Sequence, residues 1–171
     1  TTKPVNLQFS NGDSKIVQPD DGTSGVHRVF IPAVDCLPTS DLPTSTSYKS
    51  TAYTYLAFTT NVTSATFYYT IPLQSRINGA GMVIDRIEIS VGGGAGAYID
   101  TVNVYEQRRT IRTTRATYLP HIGTGGDTFS SNILSGDIVM QDWATYLIEV
   151  NVTRTAGTLY FYGIAVASHT E

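Results

Sequence analysis

This sequence has almost no lysine and almost no glutamate. Among 171 residues, Lys occurs only at 3, 15 and 49, and Glu only at 88, 106, 149 and 171. These are the usual polar residues of helix surfaces, so their scarcity argues against a helical protein. Cysteine occurs once, as Cys36, which excludes an intramolecular disulfide and a cysteine-based zinc site. Cys36 closes an apolar stretch and reads as a small buried hydrophobe. Tryptophan also occurs once, as Trp143. No apolar run approaches the roughly 20 residues of a membrane helix. The opening Thr1-Thr2-Lys3-Pro4 carries no apolar secretory segment. Charged residues make up 15% of the chain, against about 25% in an average domain. Its surface is therefore built mainly from neutral polar groups. The net charge is −3, without the basic excess that phosphate neutralisation requires, which argues against nucleic acid as a partner.

Catalytic signatures are missing as well. There is no Gly-x-Ser-x-Gly elbow and no Gly-x-x-x-x-Gly-Lys phosphate loop. His27, His121 and His169 are scattered, with no His-Glu-x-x-His pair, so neither a metal nor any other cofactor is expected. Glycoside hydrolysis would need two facing carboxylates from Asp85, Glu88, Asp100, Glu106 and Glu149. Calcium would have only Asp20-Asp21 and Asp127 to draw on. The chain reads as a non-enzyme.

What is abundant is threonine (25), glycine (15) and tyrosine (11), and Thr and Tyr suit pleated surfaces. Hydrophobicity alternates with period two through most of the chain, and no window favours the helical period. Strands are expected over 26–34, 51–60, 66–71, 81–91, 97–107 and 108–118, the last continuing the strand before it or pairing with it. Residues 37–48 and 92–96 read as a loop and a turn, and 133–143 as a short strand or one helical turn. The clearest alternation runs from 146 to 153, with Tyr146, Ile148, Val150 and Val152 inward. Leu147, Glu149, Asn151 and Thr153 then face outward. In 81–91 the alternation groups Val83, Asp85, Ile87 and Ile89 against Met82, Ile84, Arg86 and Glu88. In the last strand Leu159, Phe161 and Gly163 oppose Tyr160, Tyr162 and Ile164. The expected core is Val83, Ile87, Ile89, Tyr146, Ile148, Val150, Val152, Leu159 and Phe161. Many short strands with turns between them indicate an all-β, antiparallel, jelly-roll-like β-sandwich over residues 26–171. Residues 1–25 form a polar N-terminal arm or edge hairpin around the Asn11-Gly12 turn signal.

Three features bear on binding. Four of the eight arginines fall in one segment, Arg108, Arg109, Arg112 and Arg115. Strict alternation groups Arg108 with Arg112, and Arg109 with Arg115. They are candidates for docking on an acidic protein surface, since the guanidinium fork matches carboxylates. Trp143 is the candidate for stacking on a sugar, with Gln141 and Asp142 beside it to hydrogen-bond the hydroxyls. Asp85 falls among apolar neighbours, and a buried carboxylate there needs a partner such as an arginine. His169 reads as solvated. Asn61-Val62-Thr63 and Asn151-Val152-Thr153 match the glycosylation sequon.

The long strand 82–91 with its glycine turn, the closing hairpin of 146–153 and 159–166, and the polar arm resemble the small jelly-roll proteins of virions. These are the capsid cement, decoration and head-fibre proteins of tailed bacteriophages. The resemblance implies a non-enzymatic virion-surface protein that binds a capsid and assembles as a homotrimer. The alternative is an extracellular carbohydrate-binding module or a viral receptor-binding tip.

Overall fold

The computed structural model describes residues 5–8, 14–17, 27–36, 46–51, 53–58, 63–93, 95–118, 128–129 and 134–171. The strands are β1 (Val5–Gln8), β2 (Ser14–Val17), β3 (His27–Pro32), β4 (Thr46–Thr51), β5 (Tyr53–Phe58) and β6 (Ser64–Thr70). They continue with β7 (Arg76–Ile77), β8 (Ala80–Gly93), β9 (Ala97–Arg108), β10 (Ile111–Tyr118) and β11 (Thr128–Phe129). The last three are β12 (Ile138–Val139), β13 (Thr145–Arg154) and β14 (Leu159–Thr170). The only helical piece among the described residues is a 3-10 turn at Ala33–Asp35. No helix there is long and apolar enough to cross a membrane.

Two antiparallel sheets carry the fold. One has the order β10-β9-β13-β6. The other runs β11-β8-β14-β5-β4, with β3 also on β14 and both β7 and β12 on β8. If β3/β5, β6, β8, β9, β10, β11/β12, β13 and β14 are lettered B to I, the orders become C-H-E-F and B-I-D-G. That is the pair of Greek keys of a jelly roll. β1 and β2 pair with each other as a separate hairpin, Val5 opposite Val17 and Gln8 opposite Ser14. The Asn11-Gly12 turn, Asp20-Asp21, residues 37–45, Asn61, His121 and Asp127 lie outside the described residues.

The core forms between the two sheets. Every residue expected to be buried is buried, and Ile148, Val150, Ile87, Ile89, Leu159 and Phe161 are completely so. The inward set on β13 is the expected one, because Ile148 stands opposite Tyr69 on β6 and Val104 on β9. Cys36 is buried and free, as its apolar neighbours suggested. Tyr69 packs edge-on against Phe161 and donates a hydrogen bond to the Ala33 carbonyl at 2.9 Å, anchoring the 3-10 turn to the core.

Strict alternation fails at bulges. The register between β8 and β14 skips Asp85 and, further along, Tyr162. The register between β9 and β13 skips Asp100, and that between β9 and β10 skips Arg115. Each extra residue reverses the facing of the residues beyond it on that strand. Met82 and Ile84 therefore join Ile87 and Ile89 in the core, while Val83 is buried outside it. Ile164 likewise turns inward with Leu159 and Phe161 rather than opposing them. Residues 46–48, expected in a loop, belong to β4, and Gly92 and Gly93 extend β8.

Candidate functional site

The four arginines are divided by a two-residue turn and a bulge. β9 ends at Arg108, which pairs with Ile111 across the turn Arg109-Thr110. A connection this tight favours positive φ, and Arg109 adopts it at 50°. The bulge at Arg115 then brings that side chain to the same side as Arg108, where both grip one carboxylate, Glu106. Arg112 alone lies on the outer face. The expected grouping of Arg108 with Arg112 and Arg109 with Arg115 is thus incorrect, because the turn and the bulge each break the alternation.

Glu106 is 3% exposed on the inward side of β9. Arg115 Nε reaches Oε2 at 2.6 Å, Arg108 pairs with Oε1, and the Tyr146 hydroxyl lies 3.3 Å from Oε2. Burial pushes the carboxyl up, but the hydrogen bonds and charges of Arg115 and Arg108 outweigh it and hold it below the usual carboxylate range. Such a group stabilises the fold above its unfolded-state value of about 4.5 and loses that contribution as pH falls through its folded value. Glu106→Gln is therefore expected to lower the urea midpoint at neutral pH, with the difference from wild type closing below about pH 4.5. A difference that stays constant across that range would contradict a charged Glu106.

The outer face of the β10-β9-β13-β6 sheet holds a second network. Glu149 accepts from Tyr68 Oη at 2.6 Å, Asn103 Nδ2 at 2.7 Å, Asn151 Nδ2 at 3.1 Å and Tyr105 Oη at 3.3 Å. Burial raises its carboxyl, and these four donors more than reverse the effect. The Arg112 guanidinium lies 5.3 Å from the Tyr68 ring centre and 5.0 Å from that of Tyr105, within cation–π range of both. The Asn151 amide that a sequon would modify is engaged in this network.

Trp143 is 98% exposed, the extreme among the described large apolar side chains. It sits in the turn between β12 and β13 with φ 63°. Trp143 and Asp142 line an open cleft of about 500 Å³ together with Arg108, Arg109, Thr110 and Ile111. The two candidate sites read from the sequence, the arginine segment and the tryptophan, thus meet at one end of the sandwich. Ile111, 68% exposed, was not anticipated. An adjoining cleft of about 360 Å³ is lined by Arg115, Asp137, Ile138, Val139 and Gln141, among others. Asp142 is committed elsewhere: Ser75 Oγ donates to Oδ1 at 2.8 Å, and Arg76 Nε bridges both oxygens at 3.0 and 3.1 Å.

An L-residue at positive φ costs roughly 1–2 kcal/mol. Glycine removes that cost and adds about 0.5–1 kcal/mol of chain entropy. Trp143 buries nothing, so Trp143→Gly is expected to raise stability by about 0.5–1 kcal/mol, read as a higher melting temperature. A lower melting temperature would mean that the indole packs in solution.

Asp85 finds a partner in His169, Nδ1 to Oδ2 at 3.0 Å, in place of the arginine expected. His169, expected to be solvated, is held by that contact. The neighbouring Ser168 is completely buried, opposite Ile84 on the core side of β14, so it does not complete a triad with this pair. Among the described residues, no three His, Cys, Asp or Glu side chains are grouped to hold a metal.

No family model matches this chain, and no curated protein matches its sequence. Among the solved structures that resemble its shape are two. One is the insecticidal crystal protein Cry2Aa, with TM-score 0.45 and 16% identity over 93% of this chain. The other is the structure of infectious bursal disease virus, Gx strain, with TM-score 0.45 and 11% identity over 97% of this chain. The chain spans 23% and 36% of the lengths of those two chains.

Proposed function

We propose that this chain is a non-enzymatic jelly-roll protein of a virion surface, assembled as a homotrimer, and that the Trp143 end of the sandwich is the surface it presents for binding. The nearly complete exposure of Trp143 beside Ile111 carries the reading, since isolated domains rarely leave such side chains together in water without a use. Jelly rolls serve as capsid and lectin domains, and this one has a neutral, lysine-poor surface suited to close assembly. Recognition is favoured over hydrolysis by the state of four of the five candidate carboxylates, all but Asp100. Glu106 is held by two arginines, Glu149 by four donors, Glu88 by Arg86 and Asp85 by His169.

Phe30, 54% exposed on β3, and the half-buried Tyr160 and Tyr162 on β14 offer an aromatic face for a neighbouring subunit. The hairpin β1–β2 is the segment we assign to attachment on the particle. Light scattering of the purified chain is expected to give three times the 18.5 kDa chain mass. A monodisperse monomer would overturn the trimer. Deleting residues 1–25 is expected to abolish co-sedimentation with purified capsids while leaving the melting temperature unchanged. Retained co-sedimentation with a lowered melting temperature would instead make the hairpin a structural edge. The second reading, a receptor-binding tip, is favoured by the same exposed indole.

A further inference from the structure

We propose that the cleft between the β9–β10 turn and Trp143 binds a carboxylate-bearing sugar, with the indole against the pyranose ring and the Arg109 guanidinium on the acid group. This rests on the reading of the Trp143 end as a binding surface, and it names the ligand.

The apolar part of the cleft comes first. Trp143 and Ile111 are 98% and 68% exposed, and both line the same open cleft of about 500 Å³. That volume lies within the usual range of small-molecule sites. A pyranose ring presents a flat face of C–H groups that suits the electron-rich face of an indole.

The hydrogen-bonding inventory then selects among sugars. The carboxylates at this end already have donors, Asp142 Ser75 and Arg76, Glu106 Arg108, Arg115 and Tyr146. Gln141, expected to help bind hydroxyls beside Trp143, lines the adjoining cleft instead. The charged group left without a counter-charge is a donor. Arg109 is exposed, and no acidic group among the described residues pairs with it. Its five N–H groups and the Thr110 hydroxyl point to a ligand rich in acceptors. A neutral sugar leaves the Arg109 guanidinium without a counter-charge. A ring carboxylate uses the guanidinium fork and gains charge assistance. An acidic peptide supplies the carboxylate but lacks the flat C–H face that the indole matches.

Trp143 is the chain's single tryptophan, so intrinsic fluorescence reports on the cleft without a label. The probes are 3′-sialyllactose and a galacturonate tetrasaccharide, with lactose as the neutral control and oligoglutamate as the acidic peptide. Saturable change with either acidic sugar, and none with lactose at the same millimolar concentration, is expected. Arg109→Asn keeps the reporter and tolerates positive φ. It is expected to weaken acidic-sugar binding roughly tenfold or more and to remove its salt dependence. Trp143→Asn, followed by calorimetry, is expected to abolish binding while the protein stays folded. Equal response to lactose, or an Arg109→Asn variant that binds acidic sugars as wild type does, overturns the assignment. Response to oligoglutamate alone overturns the sugar but leaves the binding surface standing. No response to any probe overturns the sugar, and wild-type receptor binding by Trp143→Asn would separately overturn the surface.

Discussion

Ile148→Ala is expected to destabilise the protein by about 2–5 kcal/mol, seen as a large drop in the urea midpoint with little change in slope. Ile148 has no exposed surface and lies at the centre of β13. It faces Tyr69 on one side and Val104 on the other, so the truncation opens space that three strands of one sheet and the opposing sheet all border. Backbone pairing on both edges of β13 keeps the strand from moving inward to close it. The cost is then the lost transfer energy plus the residual cavity. Val139→Ala is the control: that side chain is 42% exposed on a two-residue strand, and its loss should fall within about 1 kcal/mol. Similar small losses at both positions would mean that β13 is not central to the core.

The inward set on β13 could be read from sequence because Tyr146, Ile148, Val150 and Val152 alternate with mostly polar residues; the exception, Leu147, expected outward, is buried as well, though outside the core cluster. The same rule misplaced residues wherever one strand carries an extra residue. Nothing in the run from Met82 to Val91 marks Asp85 as the point where the facing reverses, although a carboxylate at an inward position hinted at it. Glu106 left a comparable hint, sharing strand parity with Val102 and Val104 and having Arg108 two residues on. Following that parity would have found the buried ion cluster. The partnership of Asp142 with Ser75 and Arg76 had no local signal, since 66 or more residues separate the groups and only the topology joins them. The cleft was legible in halves. Trp143 stood out by being single and the arginines by crowding, but their meeting depends on the turn after β9 and the turn before β13 lying at the same end of the sandwich. Ile111, at the start of β10, was invisible as a site residue because an isoleucine in a strand ordinarily reads as core.

Gly163→Ala is expected to cost about 2–6 kcal/mol, from two sources that add. The residue comes directly after the Tyr162 bulge on β14 with φ 150°, a region that side-chain-bearing residues rarely enter. Leaving that region or tolerating it costs roughly 1–3 kcal/mol. The second source is steric. A Cβ at this position would sit 2.4 Å from the Ile31 carbonyl oxygen and 2.7 Å from Phe30 Cζ. The Phe30 ring can swing away, but the carbonyl belongs to the β3 backbone, where Pro32 is already in register with Gly163. Relief therefore requires β3 to part from β14, and such overpacking costs about 1–3 kcal/mol more. Hydrogen exchange distinguishes this from a global loss: the amides of β3 should lose protection first, while those of β13 keep theirs until the variant unfolds. Gly136→Ala, with no atom within 4 Å of the added methyl, should leave the melting temperature nearly unchanged. A Gly163→Ala variant as stable as wild type would show that β3 does not pair with β14 at this bulge, and the B-I edge of the jelly roll would have to be redrawn.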